Sequence, residues 1–168
     1  ASPTAGLHFD QALLNQIKEK GIEILFVTLH VSYGTFQPVA SEDLTQHKIY
    51  EEYFEISDET AERINFAKAD GRRIIACGTT VVRTLESAAT SSIPSEIEAK
   101  EGMANLFIHS PYEFKIVDAM ITNFHLPRTT LLMLTSAFAS HEFLMRAYRE
   151  ATERRYRFYS YGDAMLIL

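Results

Sequence analysis

Ile116 to Ala139 reads IVDAMITNFHLPRTTLLMLTSAFA, and this stretch decides the fold. Ile116, Val117, Ala119, Met120 and Ile121 form an apolar run of strand length. The run breaks at Leu126-Pro127, because the residue before a proline is pushed out of the helical region. Thr129 or Thr130 can then cap a new helix, and Leu131 to Ala139 is apolar nearly all round, as a buried helix is. Asn123, Phe124 and His125 therefore sit where a buried strand hands over to a buried helix. In open α/β sheets that crevice is where ligands bind. Asp118 interrupts the strand, and a carboxylate there needs a partner.

A second junction of the same kind lies upstream. Arg73–Cys77 reads as a short strand, Gly78-Thr79-Thr80 as a turn, and VVRTLESAA as a helix. Free N–H groups at a helix start, flanked by hydroxyls, bind anions. Arg83 sits in the first turn, where a cation opposes the helix dipole. Either a ligand carboxylate or phosphate holds it, or it pairs with Glu86 or solvent. The lysine and glycine spacing of a Walker loop is absent.

Ile22 to Val31, IEILFVTLHV, is apolar on both faces and reads as a central strand of a covered sheet. His30 shares a face with Phe26 and Thr28 and precedes the loop Ser32-Tyr33-Gly34-Thr35-Phe36, so it serves either packing or a ligand. His8 lies just outside a helix that Asp10 caps, as a turn residue or a ligand contact. Tyr50 to Ile56 reads as a strand with surface carboxylates, and Ser57 caps the helix after it. His47 with Glu51 or Glu52 lacks the three or four spaced ligands of a zinc site. Ala89 to Glu101 reads as a mobile loop, Leu106 to His109 as a strand, and Ala164 to Leu168 as a closing strand. Ser140 caps a last helix with an apolar stripe from Phe143 to Ala151. It runs into Arg154, Arg155 and Arg157, interleaved with Tyr156, Phe158 and Tyr159. That mixture suits either RNA contact or a solvated helix end.

Strands alternating with helices give an α/β class, a three-layer sandwich with helices on both faces of a mainly parallel or mixed sheet. The 168 residues suffice for one domain with a real core. The formal net charge of −6 gives no global pull toward nucleic acid. Cys77 is the only cysteine, which excludes an internal disulfide and fits a reducing cytoplasm. No apolar run is long enough to cross a bilayer as a helix. The abrupt start at Ala1 reads as that of a fragment.

PTAGLHF, VTLHVSYGTFQPV, GTTVVRTLES, TNFHLPRTTLLMLTSAFA and YRFYSYGDAMLI occur in this order. From Pro3 to the C-terminus the chain resembles the S-adenosylmethionine:tRNA ribosyltransferase-isomerase family of queuosine biosynthesis. Ser32 stands where that pattern has Gly, Tyr50 where a second His is common, and Ser110-Pro111 where a Pro-Gly turn occurs. The resemblance implies a longer two-domain enzyme whose β-barrel domain is absent here. Residues 1–168 would be its α/β catalytic domain, impaired when alone. It implies transfer and isomerisation of the ribosyl group of S-adenosylmethionine onto a 7-aminomethyl-7-deazaguanine base in tRNA. The product is epoxyqueuosine, and adenine and methionine leave. S-adenosylmethionine is then a co-substrate, with no resident cofactor and no metal. The partner is the anticodon wobble base of tRNA, with no membrane, and the protein is a cytoplasmic monomer.

Within that resemblance His125 or His8 serves as the base. Thr122 and Asn123 orient substrate, and Asp163 protonates adenine. Thr79, Thr80 and Arg83 hold a carboxylate or phosphate, and His30, Gly34 and Thr35 add substrate contacts. Arg154, Arg155 and Arg157 take tRNA phosphates. The rivals are a methyltransferase using the same co-substrate and a non-catalytic tRNA-binding fragment.

Overall fold

The computed structural model describes residues 3–32 and 49–168. Gly34, Thr35 and His47 lie outside the described residues. The chain opens with a 3₁₀ helix, Thr4–His8, and then α1 (Gln11–Glu19), capped by Asp10, whose carboxylate accepts the Leu13 N–H. Strands β1 (Thr28–Leu29) and β2 (Glu52–Ile56) follow, then α2 (Asp58–Ala69), capped by the Ser57 hydroxyl. Next come β3 (Ile75–Cys77), α3 (Thr79–Ala88) and β4 (Lys100–Ala104). β5 (Ala119–Asn123), α4 (Thr130–Ala139), α5 (His141–Glu153) and β6 (Ala164–Ile167) complete the chain.

Among the described residues the strands form two three-stranded sheets. One is antiparallel, in the order β1-β2-β4; the other is mixed, in the order β3-β5-β6. β3 runs parallel to β5, with Cys77 opposite Ile121, and β6 runs antiparallel with Ala164 opposite Asn123. The fold is thus α/β with mixed and antiparallel sheets. One apolar cluster joins the two sheets, including Phe54, Ile56 and Ala104 from the first and Ala76, Met120 and Ile167 from the second. Val82 and Leu85 of α3 and Leu134 of α4 pack into it.

The structure corrects three expectations from the sequence. Ile22–Val31 is not a central strand. Only Thr28–Leu29 is in a ladder, at a sheet edge, and Phe26, Thr28 and His30 face outward. β3 is likewise an edge strand, so only β5 of the three expected strands is central. The third strand of the antiparallel sheet is Lys100–Ala104, at the end of the expected loop, and not Leu106–His109. Gly102 lies against the Phe54 ring, which a methyl group in its place would already touch at 3.7 Å. A hydrophobic run shows what is buried; it does not name the strand that pairs with it.

β2 alternates as expected of a half-buried strand, with Glu52, Phe54 and Ile56 inward. Glu52 is therefore no surface carboxylate; it is 1% exposed. Its Oε2 takes Arg83 Nη1 of α3 at 2.5 Å, and its Oε1 accepts the Ser32 N–H at 2.7 Å. Glu86, one turn further along α3, faces the other sheet. It accepts N–H bonds from Lys115, Ile116 and Val117 at 2.9, 3.0 and 3.1 Å and a bond from the Tyr112 hydroxyl. Those residues lead directly into β5. Asp118 is exposed and accepts the Ile74 N–H at 2.7 Å, a pin between β3 and β5.

Glu86→Ala should be among the most damaging single changes in this chain. It strands three backbone N–H groups, and each stranded buried donor costs about 1–3 kcal/mol. Urea unfolding should show a loss of roughly 3 kcal/mol or more. A loss below about 1 kcal/mol would mean that water replaces the carboxylate there.

Candidate active site

Because β3 and β5 are parallel, their carboxyl ends share one edge, and both junctions picked from the sequence open on it. The Gly78 N–H donates to Ile121 O at 2.8 Å and so extends the ladder to the turn itself. Gly78 then takes φ +102°, a conformation that side chains rarely adopt. It brings no side-chain cap, so among the described residues the N–H groups at the start of α3 are left for solvent or a ligand. Across the cleft, Thr129 caps α4 by accepting the Leu132 N–H and donates its own hydroxyl to Leu126 O. This fixes the loop that carries His125.

The cleft is lined by Thr4, Gly78, Thr79, Thr80, Thr122, Asn123, His125, Tyr159 and Ser160, with apolar walls from Val31, Phe124, Leu126 and Leu131. Its volume is about 80 Å³, against about 300–1,000 Å³ for an enclosing ligand pocket. The cleft is an open trough and not an enclosing pocket. Of the candidate residues, Thr79, Thr80, Thr122, Asn123 and His125 meet here. Thr4 and Tyr159 line it too, and neither stands out as a site residue in the sequence. Thr4 belongs to the PTAGLHF motif, and Tyr159 reads as part of the basic patch.

Asn123 is 3% exposed and is the hub of the cleft. Its Oδ1 accepts the Thr4 hydroxyl at 3.2 Å, and its Nδ2 lies 3.2 Å from His8 Nε2 and 3.5 Å from the carbonyls of Gly162 and Asp163. An amide nitrogen only donates, so His8 accepts at Nε2 and carries its proton on Nδ1. His8 is exposed and stands at the rim, joined to the cleft through Asn123. His125 is held differently. Its N–H donates to the Tyr148 hydroxyl at 2.7 Å, and its Nε2 is 2.8 Å from Thr122 Oγ1. Burial pushes its imidazolium down to about 4 and the Tyr148 phenol up to about 12, so both are neutral at pH 7.

Other candidates fall elsewhere. Arg83 does not face the cleft. Its guanidinium is 3% exposed and bound to Glu52 and, at 3.4 Å, to Ala104 O. Burial lowers its pKa and Glu52 opposes that shift. Glu86, the alternative partner expected for it, is taken by backbone. His30 is exposed on the other sheet, its N–H on Tyr53 O and its ring against that of Tyr53, one residue short of the cleft-lining Val31. Asp163 pairs with Arg157 through Nη2 at 2.9 Å and through the Arg157 N–H at 2.7 Å. These bonds, the side-chain one first, hold its carboxyl below the usual range. That is the ionisation of an acceptor, at odds with a proton donor to adenine. Arg154 pairs with Glu150, while Arg155 is exposed at φ +59°. Among the described residues no three of His, Cys, Asp and Glu converge as metal ligands, and no helix is long and apolar enough to cross a membrane.

The His125 environment has a signature in stability. Its folded-state pKa, about 4, lies below the ordinary value of 6.5. Between those values the unfolded chain binds a proton that the folded chain refuses, so stability falls as pH drops from about 6.5 toward 4. Thermal melts across this window should show that loss, and His125→Gln should flatten it. An identical slope in the variant would place the titration on another group.

Comparison with known proteins gives the family of the chain. The family model described as queuosine biosynthesis protein matches residues 1–167. Proteins named S-adenosylmethionine:tRNA ribosyltransferase-isomerase from Sulfurihydrogenibium sp. (strain YO3AOP1) and Aquifex aeolicus are each 56% identical over 168 residues, 100% of this chain and 48% of theirs. The crystal structure of S-adenosylmethionine tRNA ribosyltransferase from Thermotoga maritima superposes with a TM-score of 0.76 at 45% identity, covering 98% of this chain and 51% of that one. The chain thus spans about half the length of the curated relatives it matches, and it belongs to the queuosine biosynthesis protein family.

Proposed function

We propose that the protein of which this chain is part transfers the ribosyl group of S-adenosylmethionine to 7-aminomethyl-7-deazaguanine in the anticodon of tRNA. It rearranges that group to an epoxy-cyclopentanediol and releases adenine and methionine. The names of the relatives support the reaction class. The observation that carries the site is the meeting, at one sheet edge, of the uncapped start of α3 with the Asn123 hub.

The chemistry divides between the two walls. A sulfonium acidifies the carbon beside it, and a base must take that proton. His8 is the better base of the two histidines at this cleft. The Asn123 amide aims His8 Nε2 at the rim as an acceptor, where an approaching C–H takes the place of the amide. His125 is a poor base near neutrality, because its conjugate acid ionises near pH 4. It serves instead as a neutral hydrogen-bond partner with Thr122. The proton gained by His8 is then available to the departing adenine, a role that the ionised Asp163 does not fill. With Arg83 committed to Glu52, the Thr79 and Thr80 hydroxyls and the N–H groups of α3 remain to anchor the methionine carboxylate. Arg155 has, among the described residues, no ion pair like those of Arg154 and Arg157, and is the freest of the three arginines for a tRNA phosphate.

The test is adenine release by the full-length protein with S-adenosylmethionine and tRNA bearing the modified base. S-adenosylhomocysteine in place of adenine would show methyl transfer. His8→Ala should lower the rate by roughly two to four powers of ten, the usual loss of a general base, and His125→Ala should cost far less. The reverse order would return the base to His125. Arg155→Gln should reduce the log–log salt slope of tRNA binding by about 0.7–0.9, one phosphate contact. An unchanged slope would mark that arginine as solvated only.

A further inference from the structure

Next to the cleft the chain ties itself into a closed ring. Arg157 and Asp163 are joined three ways: N–H to Oδ2 at 2.7 Å, Nη2 to Oδ1 at 2.9 Å, and the Asp163 N–H to Arg157 O at 2.7 Å. Inside the ring the Gly162 N–H donates to Tyr159 O at 3.0 Å, and the Tyr159 N–H donates to Phe124 O at 2.9 Å. The turn is so tight that a Cβ on Gly162 would lie 2.3 Å from Arg157 O. Tyr159 takes φ +71° to complete it. Phe158 packs beneath, against Phe124 and Tyr148. The backbone from Arg157 to Asp163 is thereby held rigid, and at its tip the Tyr161 ring is 83% exposed.

A tyrosine so exposed on so constrained a backbone is not explained by folding. Burying it would stabilise the chain, whereas this ring holds it out. Its neighbour Ser160 and the half-exposed Tyr159 line the cleft, and Tyr156 and Arg155 stand exposed on the same segment. Aromatic faces beside arginines, with little ordering left to do, are what unpaired bases stack on. We infer that Tyr161 is a stacking platform for an unpaired RNA nucleotide adjacent to the one whose base enters the cleft. This makes Tyr161 a positioning residue, and it rests on the proposed RNA substrate.

The chain contains no tryptophan, which offers a direct probe. In the full-length protein carrying Tyr161→Trp, the emission of the introduced indole, resolved by difference from the unsubstituted protein, should be open to iodide quenching. Addition of tRNA should quench that emission and shield it from iodide. In adenine-release kinetics Tyr161→Ala should raise KM for tRNA about five-fold or more, the lower end of one base–aromatic stack. KM for S-adenosylmethionine should stay put, and Tyr161→Phe, which keeps the ring face, should retain the KM for tRNA of the unsubstituted protein. An indole already shielded before RNA is added would overturn the inference, because another part of the protein would then cover the tip. Unchanged KM in Tyr161→Ala would also overturn it while leaving the proposed reaction intact. Absence of adenine release from the unsubstituted protein would defeat the reaction instead, and quenching of the indole by tRNA would still decide the stacking.

Discussion

The structure depends on two buried charges on one helix that reach partners in two different sheets. Arg83 and Glu86 are nearly one turn apart on α3. Arg83 reaches Glu52 in the antiparallel sheet, and Glu86 reaches the backbone that enters β5 in the mixed sheet. A buried ion pair adds little net stability compared with apolar packing, but losing one partner is severe because the other charge is then stranded. Its contribution is therefore placement. The helix can sit in only one rotation and one height between the sheets, because both polar side chains must reach their partners at once. The start of that helix is Gly78-Thr79-Thr80, so the same constraint sets one wall of the cleft. The other wall, β5 with its loop to α4, is what Glu86 ties down.

The same pairing explains why a residue that looks like a ligand contact in the sequence is not one. Arg83 in the first turn of a helix opposes the dipole, and something must hold it. The holder is Glu52. Glutamates on strands are usually at the surface, and Glu52 reads that way in the sequence. The alternation of EYFEI nevertheless puts it on the side of Phe54 and Ile56. A carboxylate on an inward position and a cation at a helix start are two halves of one pair, thirty-one residues apart. Neither half identifies the other without the fold.

Local chemistry makes much of the fold legible. Ser57, Thr129 and Ser140 cap the helices expected of them, and β5 and β6 lie within or near the runs that read as strands. Both strand-to-helix junctions are visible in the sequence, and the parallel pairing of β3 with β5 puts them on one edge. Long-range pairing is not legible. Ile22–Val31 has the composition of a covered central strand, yet two residues of it pair, at an edge. KEGMA has a glycine and two charges and still forms a full edge strand, since an edge strand needs only one partner and one buried side.

The histidines mark the deeper limit. His8, His30 and His125 each lie at or just past the end of an element and are equivalent as letters. Their chemistry comes from what surrounds them. His30 is exposed beside a tyrosine on the other sheet, His125 is dried by its neighbours until its imidazolium is unstable, and His8 stays wet with one nitrogen fixed by Asn123. The backbone follows the same division. Arg128 and Tyr159, both at positive φ, frame the cleft at the loop to α4 and at the ring before β6. Non-glycine residues persist in that region only where surrounding bonds over-determine them. For Tyr159 those bonds are the Phe124 carbonyl and the Gly162 N–H. Phe124 therefore sits between Asn123 and His125 in sequence, packs on Tyr148 and Phe158, and holds Tyr159 through its backbone. One apolar residue thus couples the hub of the cleft to the ring at its rim, and displacing it would move both together.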